Sequence, residues 1–379
     1  MSNTLNRRGF LGGSMMAAGT LAASPVLAKH HAGGGVSYGP EAGMAKLNAN
    51  ENPYGPSPGA LNAMMEASSK GAYYVGESVP RLKAMIAERH GLTPDHIALS
   101  AGSSGVLTYL AVGVTHEGKK ILGPDLFWDT TAKKAEQQGG EIVRVPNGKN
   151  LEIDLAALEN AITDEIGLVS ICNPNNPTGL VLNPDELVAF CKRASKKTTV
   201  LIDEAYNELT DDPTKNTMIS LVKDGHDVVV ARTFSKIYGL AGMRVGYMIA
   251  SPERLEMVNR YGLGDYAMNQ AGVAAAVASY NDEAFLTYSK SKIVEAREMV
   301  LAATKEAGLK PLPSATNFVF VNLNDINAQK FREKMQERNV YIRGIYRDYT
   351  NWSRVSMGHL HDVERYVAAL PAVVDELSV

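Results

Sequence analysis

Short apolar runs alternate with amphipathic stretches through the middle of the chain. Residues 97–100, 120–124, 141–145, 167–171, 199–203 and 227–231 are runs dominated by Ile, Val, Leu and Ala, and each reads as a strand. The runs 199–203 and 227–231 carry apolar side chains at successive positions, so those strands are buried on both faces. Between them, residues 106–114, 155–162 and 184–194 show helical spacing. Each strand–helix–strand unit implies parallel strands joined by right-handed crossovers. Upstream, the pattern predicts a helix over 58–68 and another running through Ile86 and Ala87. Downstream it predicts a long helix over 282–307, strands over 317–321, 340–343 and 352–356, and helices over 325–338 and 362–377. The chain is therefore expected to be an α/β protein.

Composition narrows the partners. With 379 residues, 45% of them hydrophobic, the chain is long enough for a large core and two domains. A formal net charge of −3 gives no general attraction to nucleic acid or an anionic membrane, so a small-molecule ligand is expected. Cys172 and Cys191 form neither a disulfide framework nor a metal-ligand pattern, and His359-Leu-His361 has no carboxylate or cysteine cluster beside it, so no metal is expected.

The first residues point to export. Arg7-Arg8 precedes an uncharged, mildly apolar stretch from Gly12 to Ala23, and Val26-Leu27-Ala28 offers a cleavage site, the order of a twin-arginine signal peptide over 1–28. Residues 29–45, with His30-His31 and three successive glycines, read as a flexible linker. This predicts a periplasmic protein after transient contact with the twin-arginine machinery, with no stable membrane insertion.

The candidate chemistry sits where the strands end, which is where an open α/β sheet binds ligands. Lys236 follows the run 227–231, flanked by Ser235 and followed by Arg244: an amine that can condense with an aldehyde, beside hydroxyl and guanidinium groups that can hold an anion. Gly102, Ser103 and Ser104 open the helix after 97–100, where free amides and the helix dipole favour a phosphate. Phe127 or Trp128, after 120–124, can stack on a planar ring. Asn176 lies in the turn after 167–171. Asp203 ends a strand buried on both faces, where a carboxylate is costly unless it meets a cation such as a protonated pyridine nitrogen. The chemistry indicated is that of pyridoxal 5′-phosphate.

Four motifs in register carry a family resemblance: LNANENPYGPSP at 47–58, NPNNPTG at 173–179, DEAY at 203–206 and TFSKIYGLAGMRVGY at 233–247. From about Leu47 to the C-terminus the chain resembles the fold-type I, class I/II pyridoxal-phosphate aminotransferases, and among them the histidinol-phosphate aminotransferase family. The resemblance implies a large cofactor-binding domain over 73–287, with a mostly parallel seven-stranded sheet flanked by helices, and a smaller α/β domain formed by 46–72 and 288–379. It implies that Lys236 binds the cofactor covalently and moves the proton at the substrate Cα. Asp203 would then hold the pyridine nitrogen, Tyr206 and Asn176 the ring 3-oxygen, and Ser103, Ser104, Ser235 and Arg244 the phosphate.

The same resemblance assigns Arg354, Arg343 and Asn50 to the substrate. It assigns Tyr74, or alternatively Tyr73, to the cofactor of a neighbouring subunit, and so implies a homodimer with shared active sites. The expected reaction moves an amino group from an amino-acid-like donor, such as histidinol phosphate or an aromatic amino acid, to a 2-oxo acid such as 2-oxoglutarate. The alternative is a decarboxylase of the threonine-phosphate type; a non-catalytic regulator is predicted against, because no catalytic residue is missing. The family's longer N-terminal arm supplies a substrate-phosphate tyrosine, whereas here Tyr38 lies nine residues before Leu47. The motifs leave the amino donor open.

Overall fold

The expected alternation is present in the computed structural model, which describes residues 38–378. The proposed signal peptide, with Arg7 and Arg8, and residues 29–37 of the proposed linker lie outside the described residues; the last residue given to the linker, Ala45, is instead buried in a strand. From Ala42 onward the chain forms one compact unit. In chain order its strands are β1 (Ala45–Lys46), β2 (Ile97–Ser100), β3 (Lys120–Pro124), β4 (Ile142–Val145), β5 (Ile166–Cys172), β6 (Thr199–Asp203), β7 (Val228–Thr233), β8 (Gly246–Ile249), β9 (Lys310–Pro311), β10 (Phe318–Asn322), β11 (Val340–Tyr341) and β12 (Trp352–Ser356). Its helices are α1 (Pro58–Ser68), α2 (Ser78–His90), α3 (Ser103–His116), α4 (Thr130–Gln137), α5 (Leu155–Asn160), α6 (Pro184–Ala194), α7 (Ile219–Lys223), α8 (Pro252–Asn259), α9 (Gln270–Ser279), α10 (Glu283–Glu306), α11 (Ala328–Gln336) and α12 (Leu360–Leu377).

Local chemistry sets several of these boundaries. Asn183 caps α6 by accepting from the amides of Asp185 and Glu186; Pro184 occupies the first turn, and Lys192 and Arg193 the last, where they complement the helix dipole. Asp282 caps α10 through the amide of Phe285. Gly91 ends α2 in the left-handed region at φ 62°.

Seven strands form the central sheet in the order β2-β8-β7-β6-β5-β3-β4. The pairs β4/β3, β3/β5, β5/β6 and β6/β7 are parallel, whereas β8 runs antiparallel to both β7 and β2. Strand alternation divides the central positions between two apolar layers. Leu201, Val229 and Ala231 face the layer containing Val106, Leu110 and Leu255, while Val200, Ile202, Val228 and Val230 face the other, with Leu82, Ile86 and Phe190. Each such fully buried aliphatic side chain stabilises the fold by roughly 1.5–3 kcal/mol, so the sheet centre is a rigid platform.

Two smaller sheets stand apart from it. β12, β10 and β9 form an antiparallel sheet, and β1 pairs in parallel with β11. The segment 45–68 therefore bridges the molecule: β1 joins β11, and α1 packs on α9.

Candidate active site

The register brings the predicted residues to one end of the central sheet. Cys172 pairs with Asp203 and Asp203 with Ala231, while Thr233 and Ser100 both face Gly246. Because β8 is antiparallel, the turn leaving β7 and the turn entering β8 lie together. Ser235, Lys236 and Arg244 thus share a rim with Ser103 and Ser104, Trp128, Asn176, Asp203 and Tyr206. These residues line a cavity of about 430 Å³ that also takes in Asn50, Arg343 and Arg354.

One end of the cavity is built for an anion. Gly102 adopts φ 72° at the start of α3, and a Cβ there would lie 2.3 Å from an Arg244 guanidinium nitrogen. Arg244 donates to Ser235 Oγ at 3.3 Å and to the carbonyls of Ala241 at 2.8 Å and Ala101 at 3.4 Å. Within the first turn of α3, Gly105 N–H is taken by the Gly102 carbonyl and Val106 N–H by Ser100 Oγ. The leading amides of Ser103 and Ser104 therefore face the anion end beside the guanidinium.

Two adjacent buried carboxylates meet different fates. Glu204 accepts from Arg232 Nη2 at 2.7 Å, Met218 N–H at 2.7 Å and Thr217 Oγ1 at 2.8 Å, so it is satisfied within the protein. Asp203 is 5% exposed and accepts from Ala205 N–H at 3.2 Å. Burial pushes its carboxyl up to about 6, against the opposing pull of the Ala205 amide and of Lys236. Such a carboxylate fits a cationic ring nitrogen in the cavity.

Lys236 donates to the Asn50 carbonyl at 3.0 Å, and its Nζ stands 5.4 Å from the centroid of the Tyr206 ring. Burial lowers its amine to about 8; Arg354 lowers it further, and Asp203 opposes. The phenol oxygen of Tyr206 accepts from Asn50 Nδ2 at 2.9 Å and Asn176 Nδ2 at 3.3 Å. Burial raises the pKa of Tyr206, so it stays a neutral phenol.

The opposite end is cationic. Arg354, in β12, donates to Asn176 Oδ1 at 2.8 Å and to the Asn48 carbonyl at 3.1 Å, and its Nε has no partner among the described residues. Arg343 and Arg354 exchange backbone hydrogen bonds, and their guanidinium carbons each lie 5.5 Å from the Tyr346 ring centroid. A buried arginine with an unmet N–H calls for a carboxylate.

The structure places three further predicted residues. Phe127 is not at the cavity: its ring packs against Gly123 and lies 5.9 Å from the Arg144 guanidinium carbon, while Trp128, 41% exposed, turns to the cavity because neighbouring side chains diverge. Asn50 lines the cavity, but its amide is already engaged, accepting from Ser356 Oγ at 2.6 Å and donating to Tyr206. Tyr74 lies outside the cavity of its own subunit, 81% exposed, with its ring edge-on to Tyr266 at 5.9 Å. Sequence reasoning missed Glu51, Thr233 and Tyr346 on the cavity wall. Glu51 and Thr233 sit inside motifs already singled out. Tyr346 lies in a loop whose pattern carries no periodic signal.

Taken together, a buried lysine, a buried carboxylate free for a ring cation, two donors around a phenol and an anion cradle at a helix start define a fold-type I pyridoxal-phosphate enzyme. The family model for aminotransferases of class I and II matches residues 42–370, and the chain belongs to that family. It is 33% identical over 332 residues to the histidinol-phosphate aminotransferase of Moorella thermoacetica, covering 87% of this chain and 86% of the relative. It is 35% identical over 305 residues to the aromatic amino acid aminotransferase of Thermobifida fusca, covering 80% and 84%. Among solved structures, histidinol-phosphate aminotransferase from Sinorhizobium meliloti in complex with pyridoxal-5′-phosphate superposes with a TM-score of 0.83 at 30% identity, covering 88% of this chain and 92% of that one. The chain is a pyridoxal-phosphate-dependent aminotransferase, and the matches support amino transfer rather than decarboxylation.

Proposed function

We propose that this aminotransferase takes its amino group from a donor carrying a carboxylate or phosphate together with a ring, such as histidinol phosphate or an aromatic amino acid. The amine then passes to a 2-oxo acid such as 2-oxoglutarate. The observation that carries this reading is the pair Arg343 and Arg354, flanking Tyr346 across the cavity from Lys236. Arg354, with its unpartnered Nε, suits a carboxylate clamp; Arg343 suits a second anion, and Tyr346 an apolar ring.

Bound pyridoxal phosphate supplies an electron-withdrawing pyridine ring that takes up the electrons released at the donor Cα. The protein's own part falls to named side chains. Lys236 holds the cofactor and shuttles the Cα proton, and Asp203 keeps the ring nitrogen protonated. Tyr206 and Asn176 bind the ring 3-oxygen. Gly102, Ser103, Ser104, Ser235 and Arg244 hold the phosphate, and Trp128 stacks on the ring.

The active unit in this proposal is a homodimer in which Tyr74 reaches the partner's cofactor, supported by its exposure beside Tyr266, itself 78% exposed. Export by the twin-arginine route, leaving a periplasmic enzyme, rests on Arg7 and Arg8 and the segment after them. No helix among the described residues is long and apolar enough to cross a membrane.

A screen of single half-reactions tests the substrate. Histidinol phosphate, aromatic and acidic amino acids are each added to the holoenzyme, and conversion of the bound cofactor to its amine form is followed by absorbance. Conversion with none of the ring-bearing donors overturns the substrate proposal, while release of carbon dioxide overturns amino transfer itself. Borohydride reduction followed by peptide mapping should place the cofactor on Lys236. Changing Arg7 and Arg8 to lysine should trap the protein in the cytoplasm, and unchanged periplasmic recovery refutes the export route.

A further inference from the structure

Tyr206 is surrounded by groups whose orientations are fixed from behind. Arg354 Nη1 can only donate, so the Asn176 atom facing it at 2.8 Å is the amide oxygen, and Asn176 Nδ2 must face Tyr206. At Asn50 the contact lengths decide. Ser356 Oγ lies 2.6 Å from one amide atom, the length of an O–H···O bond, and the Tyr206 oxygen lies 2.9 Å from the other, the length of an N–H···O bond. The serine hydroxyl therefore donates to Asn50 Oδ1, and Asn50 Nδ2 donates to Tyr206. With both lone pairs of the phenol oxygen accepting, its single hydrogen is the one group left to point elsewhere.

We propose that Ser356 is a positioning residue for the aminotransferase reaction: through the Asn50 amide it holds the Tyr206 hydroxyl hydrogen toward the cofactor's 3-oxygen. The residue is well placed for this. It is fully buried at the end of β12, and its N–H donates to the Leu47 carbonyl at 2.8 Å, which fixes the irregular segment that carries Asn50. Without the serine hydroxyl, the Asn50 amide can turn over and present its oxygen to Tyr206. The phenol hydrogen then bonds to Asn50 instead of the ring. Asn50 also presents its carbonyl to Lys236, so the same short segment orients both the amine and the phenol.

The inference rests on Tyr206 facing the 3-oxygen, and the experiment separates the two claims. The pH midpoint of the holoenzyme's visible cofactor band is titrated in wild type, Tyr206→Phe, Ser356→Ala and the double variant. A donor to the 3-oxygen draws negative charge from it and weakens its hold on the neighbouring imine proton, so losing the donor raises the midpoint. Tyr206→Phe should raise it by about one unit, the scale of a hydrogen bond to a charged group. Ser356→Ala should raise it by about half a unit, and in the Tyr206→Phe background should add nothing. Cofactor affinity of the apoproteins should weaken in the same order.

Ser356→Cys, of similar volume but a weak donor, serves if the alanine variant folds poorly, and should shift the midpoint in the same direction. An unchanged midpoint in both Ser356 variants, with Tyr206→Phe shifted, overturns the positioning role while the site reading stands. Equal shifts with and without the Tyr206 hydroxyl overturn it as well, by exposing a merely structural effect. If Tyr206→Phe itself shifts nothing, the reading beneath the proposal fails.

Discussion

The hydroxyl of Tyr349 donates to Asp125 Oδ2 at 3.2 Å, and Arg347 reaches the other oxygen of the same carboxylate at 3.2 Å. Asp125 begins the loop that carries Trp128; Tyr349 and Arg347 lie in the loop between β11 and β12 that carries Tyr346. The carboxylate thus fastens the wall assigned to the ring to the wall assigned to the substrate. Asp125→Asn should lower kcat/KM two- to five-fold, because partly exposed ion pairs are worth about 0.5–1 kcal/mol. Thermal stability should barely change. Steady-state kinetics and a melting curve check both, and a loss confined to stability would rule out the fastening role.

Asp203→Asn removes the charge that a ring cation requires while leaving the volume and the Ala205 contact. The expected loss in kcat is roughly 10²–10³-fold or more, the scale of removing one preorganised electrostatic partner. Cofactor content after dialysis should stay near that of the wild type, since Lys236 and the anion cradle are intact. Retained activity would remove Asp203 from the mechanism.

The amine of Lys236 is held near 8, below the ordinary 10.5. A lowered pKa means that the proton leaves at lower pH, and only the neutral amine attacks an aldehyde. In the apoprotein, labelling of Lys236 by an amine-reactive reagent should therefore rise with a midpoint near pH 8, while ordinary exposed lysines respond about two units higher. Asp203 pulls the Lys236 value upward, so Asp203→Asn should move the midpoint down. Peptide-resolved mass spectrometry across pH 6–11 reads both shifts.

Gly239 adopts φ 68°, and a Cβ there would lie 2.5 Å from the Gly55 Cα. The loop after Lys236 and the segment after Asn50 touch backbone to backbone at this point. Gly239→Ala combines a disfavoured conformation with a clash that no side-chain rotation relieves, so a loss of about 2–4 kcal/mol is expected. Denaturant unfolding measures it, and a near-neutral result would mean that the two segments separate easily.

Much of this architecture was legible because its signals are local. The runs at β3, β5, β6 and β7 are apolar at successive positions, and the residues just beyond them carry the chemistry, so strand ends located Asn176, Asp203 and Lys236 without any tertiary information. Strand β8 itself was not legible, since four residues behind a long turn make too short a run to announce a strand, still less its antiparallel pairing. Helix α9 also escaped, because Gln270–Ser279 is apolar on every side and shows no stripe. Phe127 and Trp128 are adjacent rings with equal claims in sequence, and only packing against Gly123 separates them. Ser356 and Asp125 act through partners 306 and 224 residues away, relationships that no window along the chain contains.

The threading of residues 45–52 sets an order for biogenesis. Ala45–Lys46 pairs with Val340–Tyr341, the Leu47 carbonyl meets Ser356, and the Glu51 carbonyl accepts from Asn317. On the ribosome the first of these segments emerges long before its partners exist. The central sheet can form while synthesis continues, but Asn50 cannot be placed beside Lys236 until nearly the last strand has left the exit tunnel. Cofactor capture in the finished geometry thus waits for β12, and a chain ending before that strand should keep a central sheet yet lack an organised lysine.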